Sequence, residues 1–342
     1  MSDLTDAIHT YLTTAPASGF AGQPVRVLDA WRGEENLLWR VTCEGDEAVV
    51  KLFLDAGQAR GRRQFDGQQL FAEQGIAPAP LWFDRYPEGL ARQVLIYRWM
   101  PGDPLDAPVD DAAVTALAAT VVQVHQTPPE TVRRFSPRPA TLAYFWNVLS
   151  GSFPPTQRWL EQCARPPLQQ AYRVLTQAAQ DHVAATLAND DDVHPTPIHG
   201  HLKLENCLNH AGQVFLLDWE MFGLGDPAQE VAELLHAQRT AWSSATHHAF
   251  VATYCSQIAD PSAARRIERY APLLLLRDLV FLLDGVRRST AEERADPALV
   301  AAMPTLIETL RRACVAVGEA LGEVGIATRG AAEVGPDLLA QL

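Results

Sequence analysis

The sequence predicts a two-lobed α+β chain: a small antiparallel sheet with one helix, a hinge, and then a larger and mostly helical part. Three observations lead there. The first hundred residues alternate in short β-branched and aromatic runs. A Pro/Gly-rich break, PGDPLDAP at 101–108, then changes the composition. Beyond it, helical periodicity dominates. The expected division is 1–100 and 101–342, with a cleft between the lobes where a ligand would sit.

The elements follow in order. VRVLDAWR (25–32), NLLWRVT (36–42) and EAVVKLFL (47–54) read as strands, and the turn-forming GEE and CEGD between them suggest a meander. In 61–75, Phe65, Leu70 and Phe71 recur at helical spacing and Gly75 is a plausible stop. APLWFD (79–84) and RQVLIYRWM (92–100) are two further strands joined by YPEGL. Past the break, 110–126 and 167–189 are helical, three short apolar runs (TPIHG, NCLNH, QVFLLDWE) follow, and 227 to about 327 is helical again. The tail from Arg329 is weakly patterned and expected to be loosely held.

Bulk properties exclude several classes. A hydrophobic fraction of 47% with 20% charged residues supports a sizeable core and argues against disorder. A net charge of −13 disfavours nonspecific nucleic-acid binding. The five cysteines (Cys43, Cys163, Cys207, Cys255, Cys314) form no CxxC pair or metal-ligand spacing, which fits reduced, mostly buried thiols in a cytoplasmic protein. The N-terminus carries no signal-peptide pattern, and the most apolar stretch, YAPLLLLRDLVFLLDGV, is broken by Arg277, Asp278 and Asp284, so no membrane span is expected.

The chemistry concentrates around PIHGHLKLENCL (197–208). His199 and Asn206 stand at the spacing of the kinase pattern H-x-D-x-x-x-x-N, with His201 in the place of the acid. Asp218 ends a buried strand twelve positions after Asn206. An amide oxygen and a carboxylate presented together are hard ligands of the kind Mg²⁺ prefers. Alone, Asp218 could equally be a cap or a strand-end salt bridge. Lys51 sits in the apolar run AVVKLFL and wants an anionic partner; a strand lysine of nucleotide kinases binds the α- and β-phosphates. An edge-strand lysine facing solvent is the alternative.

Secondary candidates surround these. A helix acid should pair with Lys51, with Asp66 best placed, Glu73 also available, and Gln64 one alternative alignment away. Gly33 permits and Asn36 could steer a phosphate-covering turn between the first two strands, although a plain hairpin reads as well. Lys203 could neutralise charge on a moving phosphoryl group. Asp226 before Pro227 suits a helix cap that fixes the loop, with Glu230 in support. The acidic run NDDDVHP (189–195) reads as a solvated surface loop. Trp146, Trp159 and Trp242 read as helical core.

The order HGHLKLEN, LDWE and GDPA, with YRWMPGDPL and LAATVVQVHQ before it, resembles the aminoglycoside phosphotransferase family, which shares a protein-kinase-like fold with choline kinases. The likeness covers roughly residues 25–240. It implies an ATP- and Mg²⁺-dependent O-phosphotransferase acting on a small hydroxylated molecule, such as an antibiotic, sugar or amino-alcohol. By that resemblance Lys51, Gly33, Asn36 and Asp66 belong to the nucleotide side, Asn206 and Asp218 to the metal, and His199, His201 and Lys203 to catalysis. The first lobe would bind nucleotide, and the second would carry the catalytic loop and the acceptor. The departure is His201, where the family has the aspartate that orients the acceptor hydroxyl. Either the protein remains a kinase with an altered residue at that step, or it is a pseudokinase that binds nucleotide as a regulatory module. Oligomeric state does not follow from the sequence.

Overall fold

The computed structural model describes residues 2–33, 35–55, 60–105, 109–132, 141–189, 195–290, 293 and 296–335. The chain falls into two compact units. One comprises residues 1–139, 196–230 and 237–261; the other comprises 140–195, 231–236 and 262–342. This division runs differently from a cut at residue 100, because the helix Arg60–Ala72 packs on the segment after Asp218. Phe71 stacks on Trp219 at 4.4 Å between ring centroids, and Phe222 meets Phe71 edge-on at 5.5 Å.

The first unit opens with helix α1 (Ser2–Thr14), which was not evident as an element. Ile8, Tyr11 and Leu12 lie on one face of it and enter the sheet core with Trp39, Val41, Val50, Val94 and Ile96. The i, i+3, i+4 spacing of those three residues was its signal. The sheet is antiparallel throughout, in the order β1 (Val25–Arg32), β2 (Asn36–Cys43), β3 (Asp46–Phe53), β5 (Val94–Arg98), β4 (Pro80–Asp84). Strand β3 is therefore interior, and residues 48–53 are buried on both faces. That placement removes the edge-strand alternative for Lys51, which is paired in register with Leu38 and Leu95. Helix α2 (Arg60–Ala72) follows β3.

After β6 (Asp103–Pro104) and α3 (Asp111–His125), the unit is completed by short strands: β7 (Thr196–Ile198), β8 (Cys207–His210), β9 (Gln213–Leu216) and β10 (Gly223–Gly225). β7 pairs with β10, and β8 lies between β6 and β9. These two small ladders hold the loops 199–206 and 217–222 between them. Helix α7 (Pro227–Ala237) leaves β10, and α8 (Ser244–Gln257) packs on α3.

The second unit is helical: α4 (Leu142–Gly151), α5 (Phe153–Cys163), α6 (Pro166–Asn189), α9 (Ala263–Arg288), α10 (Pro297–Leu321) and α11 (Val324–Ala332). The apolar stretch 270–286 is one face of α9, with Leu273, Leu274, Leu276, Leu279, Val280 and Leu283 buried. No helix among the described residues is long and apolar enough to cross a membrane. The expectation of a loose tail fails for 329–335: Ala331 and Val334 are buried, and Arg311 donates to the Val334 carbonyl at 2.9 Å. Residues 336–342 and the acidic run at 190–194 lie outside the described residues. Trp159 and Trp242 are core residues as expected, while Trp146 is half-buried against Phe153. All five cysteines are free; Cys43, Cys207 and Cys314 are buried.

Candidate active site

Backbone geometry comes first. The loop after β7 turns at Gly200, whose φ is +82° and whose absent side chain is required twice over: a Cβ there would sit 2.2 Å from the Met221 carbonyl oxygen. Three successive N–H groups are then satisfied. His199 and Gly200 donate to the two oxygens of Glu230, at 3.1 and 2.5 Å, and His201 donates to His199 Nδ1 at 3.3 Å. His199 Nε2 lies 2.7 Å from the Leu217 carbonyl. A carbonyl can only accept, so Nε2 carries the proton and Nδ1 is the acceptor. Burial is the main cause of a lowered His199 pKa, and it keeps the ring neutral.

Glu230 is itself buried and also meets His125 Nε2 at 2.9 Å, while His125 Nδ1 contacts the Tyr254 hydroxyl at 2.8 Å. Burial alone would raise the Glu230 pKa, but the His125 hydrogen bond and the charges around it hold it below the usual range. A carboxylate from α7, an imidazole from α3 and a phenol from α8 thus clamp the loop from behind. Asp226 caps α7 as expected, accepting from Ala228 N at 2.9 Å.

In front of the loop lies a cavity of about 830 Å³. Lys51, Asn206, Asp218, His201, Lys203, Gly33 and Asn36 all line it, so seven predicted residues from four separate segments converge. His199 stands behind it, fully buried, and acts on the loop rather than facing the cavity. Lys51 is 3% exposed, and its ammonium meets Asp218 Oδ1 at 2.5 Å, Gln64 Oε1 at 2.8 Å and Glu220 Oε2 at 3.2 Å. Its three N–H bonds therefore each have an acceptor.

The helix acid expected beside Lys51 is elsewhere. Asp66 accepts from Arg62 Nε at 2.9 Å, one helical turn away, and Glu73 is exposed. The alternative alignment is the one found: Gln64 points at Lys51. A helix face rotates by about 100° per residue, so a slip of two positions aims the side chain in a different direction.

Asp218 has left-handed backbone angles, φ 63° and ψ 57°, rare for a non-glycine residue. Burial pushes its pKa up, but the His201 ring, 3.8 Å from Nδ1 to Oδ2, and the Lys51 ammonium outweigh this and hold it well below the usual carboxylate range. Asn206 is fixed by its Nδ2 donating to the His201 carbonyl at 3.0 Å. Two buried polar atoms facing this region, Asn36 Oδ1 and His201 Nδ1, have no hydrogen-bond partner among the described residues. Sequence reasoning missed Glu220 and Arg60. Glu220 is buried and held by Arg60 Nη1 at 3.2 Å and Asn36 Nδ2 at 3.4 Å, and Arg60 also ion-pairs with Glu35 of the β1–β2 hairpin. Its signal was present in LDWE: a second acid two positions after Asp218 in a buried segment needs a cation.

A family model described as the phosphotransferase enzyme family matches residues 27–267, well over half of the chain. The chain belongs to this family. As a member it is a small-molecule phosphotransferase, and the match reaches beyond the 25–240 that the motifs alone indicated. Solved structures agree on the fold. A choline/ethanolamine kinase family protein from Mesorhizobium loti is 17% identical, with TM-score 0.60 over 97% of this chain and 99% of that one. The choline kinase LicA from Streptococcus pneumoniae is 15% identical, with TM-score 0.58 over 93% and 99%. Amicoumacin kinase hAmiN, solved in complex with AMP-PNP, Ca²⁺ and Ami, is 14% identical, with TM-score 0.55 over 90% and 93%. No curated protein matches. The phosphotransferase therefore has the kinase-like α+β fold expected, a five-stranded antiparallel sheet with helix α2 and a mostly helical remainder.

Proposed function

We propose that this phosphotransferase moves the γ-phosphoryl group of ATP to a hydroxyl of a small molecule, with Mg²⁺ held by Asn206 and Asp218. The observation that carries the reading is the convergence of the Lys51–Asp218 pair with Asn206 and His201 on one cavity. The donor set fits the group: an amide and an ionised carboxylate are hard oxygen ligands that leave room for phosphate and water. Bound Mg²⁺ would supply neutralising charge at the phosphate oxygens. The bound AMP-PNP of the amicoumacin kinase is in line with a nucleotide in this family.

The chain's own residues do the rest. Lys51, and Arg60 at the head of α2, line the cavity as cations for phosphate oxygens. Lys203 has no acceptor on its ammonium among the described residues, and it is assigned to charge on the group in flight. The side chain of His201 is 43% exposed although Nδ1 is buried, so the rest of the ring is available to an acceptor hydroxyl. Phosphoryl transfer depends mainly on positioning and charge, and a base contributes about 10²–10⁴-fold. Histidine in the family's aspartate position therefore tunes the reaction and does not forbid it. A net charge of −13 speaks against nucleic acid as acceptor, and free thiols suit a reducing cytoplasm.

Transfer of labelled phosphate from ATP to a panel of amino-alcohols, sugars and antibiotics tests this, run on wild type, His201→Asp and His201→Ala. Wild type should phosphorylate at least one acceptor class, and His201→Ala should lose about 10²-fold or more in kcat. A wild type inert on every acceptor beside an active His201→Asp would make it a pseudokinase.

A further inference from the structure

The helix position that carries an acid in kinases of this fold is neutral here. Gln64 accepts one hydrogen bond from Lys51 but brings no charge to a lysine that is 3% exposed. An ammonium so buried needs anionic compensation. Asp218 provides it at 2.5 Å, yet on the reading above that carboxylate is required by the metal. One other carboxylate touches Lys51 among the described residues, Glu220 at 3.2 Å.

We propose that Glu220 is the positioning residue for Lys51, taking over from the 3₁₀ turn Trp219–Met221 the part that a helix acid plays elsewhere. Three features suit it to this. It is 6% exposed, so its charge is little screened by solvent. Its carboxylate is fixed on both oxygens, by Arg60 at Oε1 and by Asn36 and Lys51 at Oε2. Through Arg60 and Glu35 it also reaches the β1–β2 hairpin. The ion pair has therefore moved from the α2 face to the segment that carries Asp218, and Lys51 stays oriented when Asp218 turns to a metal.

This rests on the proposed nucleotide role of Lys51, and a rescue experiment separates the two. Glu220→Gln should weaken Mg–AMP-PNP binding about tenfold by calorimetry, the loss of one charged partner. Glu220→Gln combined with Gln64→Glu should recover to within about threefold of wild type, since the acid returns from the other side. Ligand-free melting temperatures should follow the same pattern, falling in the single variant and recovering in the double. No loss in Glu220→Gln, or a loss that Gln64→Glu leaves untouched in both measurements, overturns the proposal. A weakened response to Mg²⁺ concentration that persists in the double variant would instead make Glu220 a metal ligand, which also overturns it. If wild type does not bind Mg–AMP-PNP, the nucleotide reading fails, and the ligand-free melting cycle still decides the Lys51–Glu220 pairing.

Discussion

His199 and His201 are two residues apart and do different work. His199 is sealed, neutral and bonded on both ring nitrogens. Its lowered pKa has a consequence for stability. An unfolded histidine binds a proton below about pH 6.5, whereas native His199 does not, so acidification from about 6.5 towards the lower native pKa favours the unfolded state. Asp218 and Glu230, also lowered, act in the same direction in a separate window that opens only below about pH 4.5. Urea unfolding at pH 7.5 and 5.5 should therefore show wild type losing stability over this interval, and His199→Asn losing less. Equal losses would contradict a neutral, buried His199. The sequence placed His199 in the motif, but periodicity and spacing do not say which ring faces the cavity; that followed from the Gly200 turn, which sends one side chain back and the other forward.

At the element scale, the 199–206 loop depends on turns and clamps rather than on regular structure. Gly200→Ala should be severely destabilising, by roughly 2–4 kcal/mol, because φ +82° and the Met221 carbonyl both oppose a Cβ. Thermal or chemical unfolding gives the value, and a loss under about 0.5 kcal/mol would mean that the turn relaxes. The clamp behind the loop predicts a graded series. Tyr254→Phe removes one neutral partner of His125 and should cost about 1 kcal/mol. Glu230→Ala strands His125 and the His199 and Gly200 amides and should cost about 3–5 kcal/mol. Equal effects from the two variants would refute this clamp. The five sheet strands and the two long helices at 111–125 and 166–189 were legible because alternation and 3.6-residue periodicity run long enough there to rise above noise. Helix α1 and the short helices α4 and α5 were not anticipated: the first residues were read only for targeting signals, and no element was assigned to FPPTQRW, whose prolines suit a first helical turn.

For the whole molecule, the sequence motifs named the charged and polar residues on which the proposed chemistry rests, and not the bulk of the cavity wall. Lys51, Asn206, Asp218 and His201 converge because an interior strand and two short ladders bring three segments together, and each carries a residue type that is costly to bury unpaired. What could not be read was pairing. Two acids two positions apart in LDWE, an arginine cluster at 60–63 and a glutamine two residues from an aspartate allow several ion-pair schemes, and only three-dimensional packing selects Lys51 with Asp218, Glu220 and Gln64. The family match makes the chain a phosphotransferase, and no motif in the sequence names its acceptor.

Under the proposed function, Lys51 holds nucleotide phosphates in a site completed by a metal at Asn206 and Asp218. Melting temperatures of wild type and Lys51→Met, with and without Mg–AMP-PNP, test it most directly. Wild type should gain roughly 3–6 °C with ligand near 100-fold its Kd, only when Mg²⁺ is present, and Lys51→Met should gain almost nothing. An equal gain in both proteins, or none in wild type, would contradict the account.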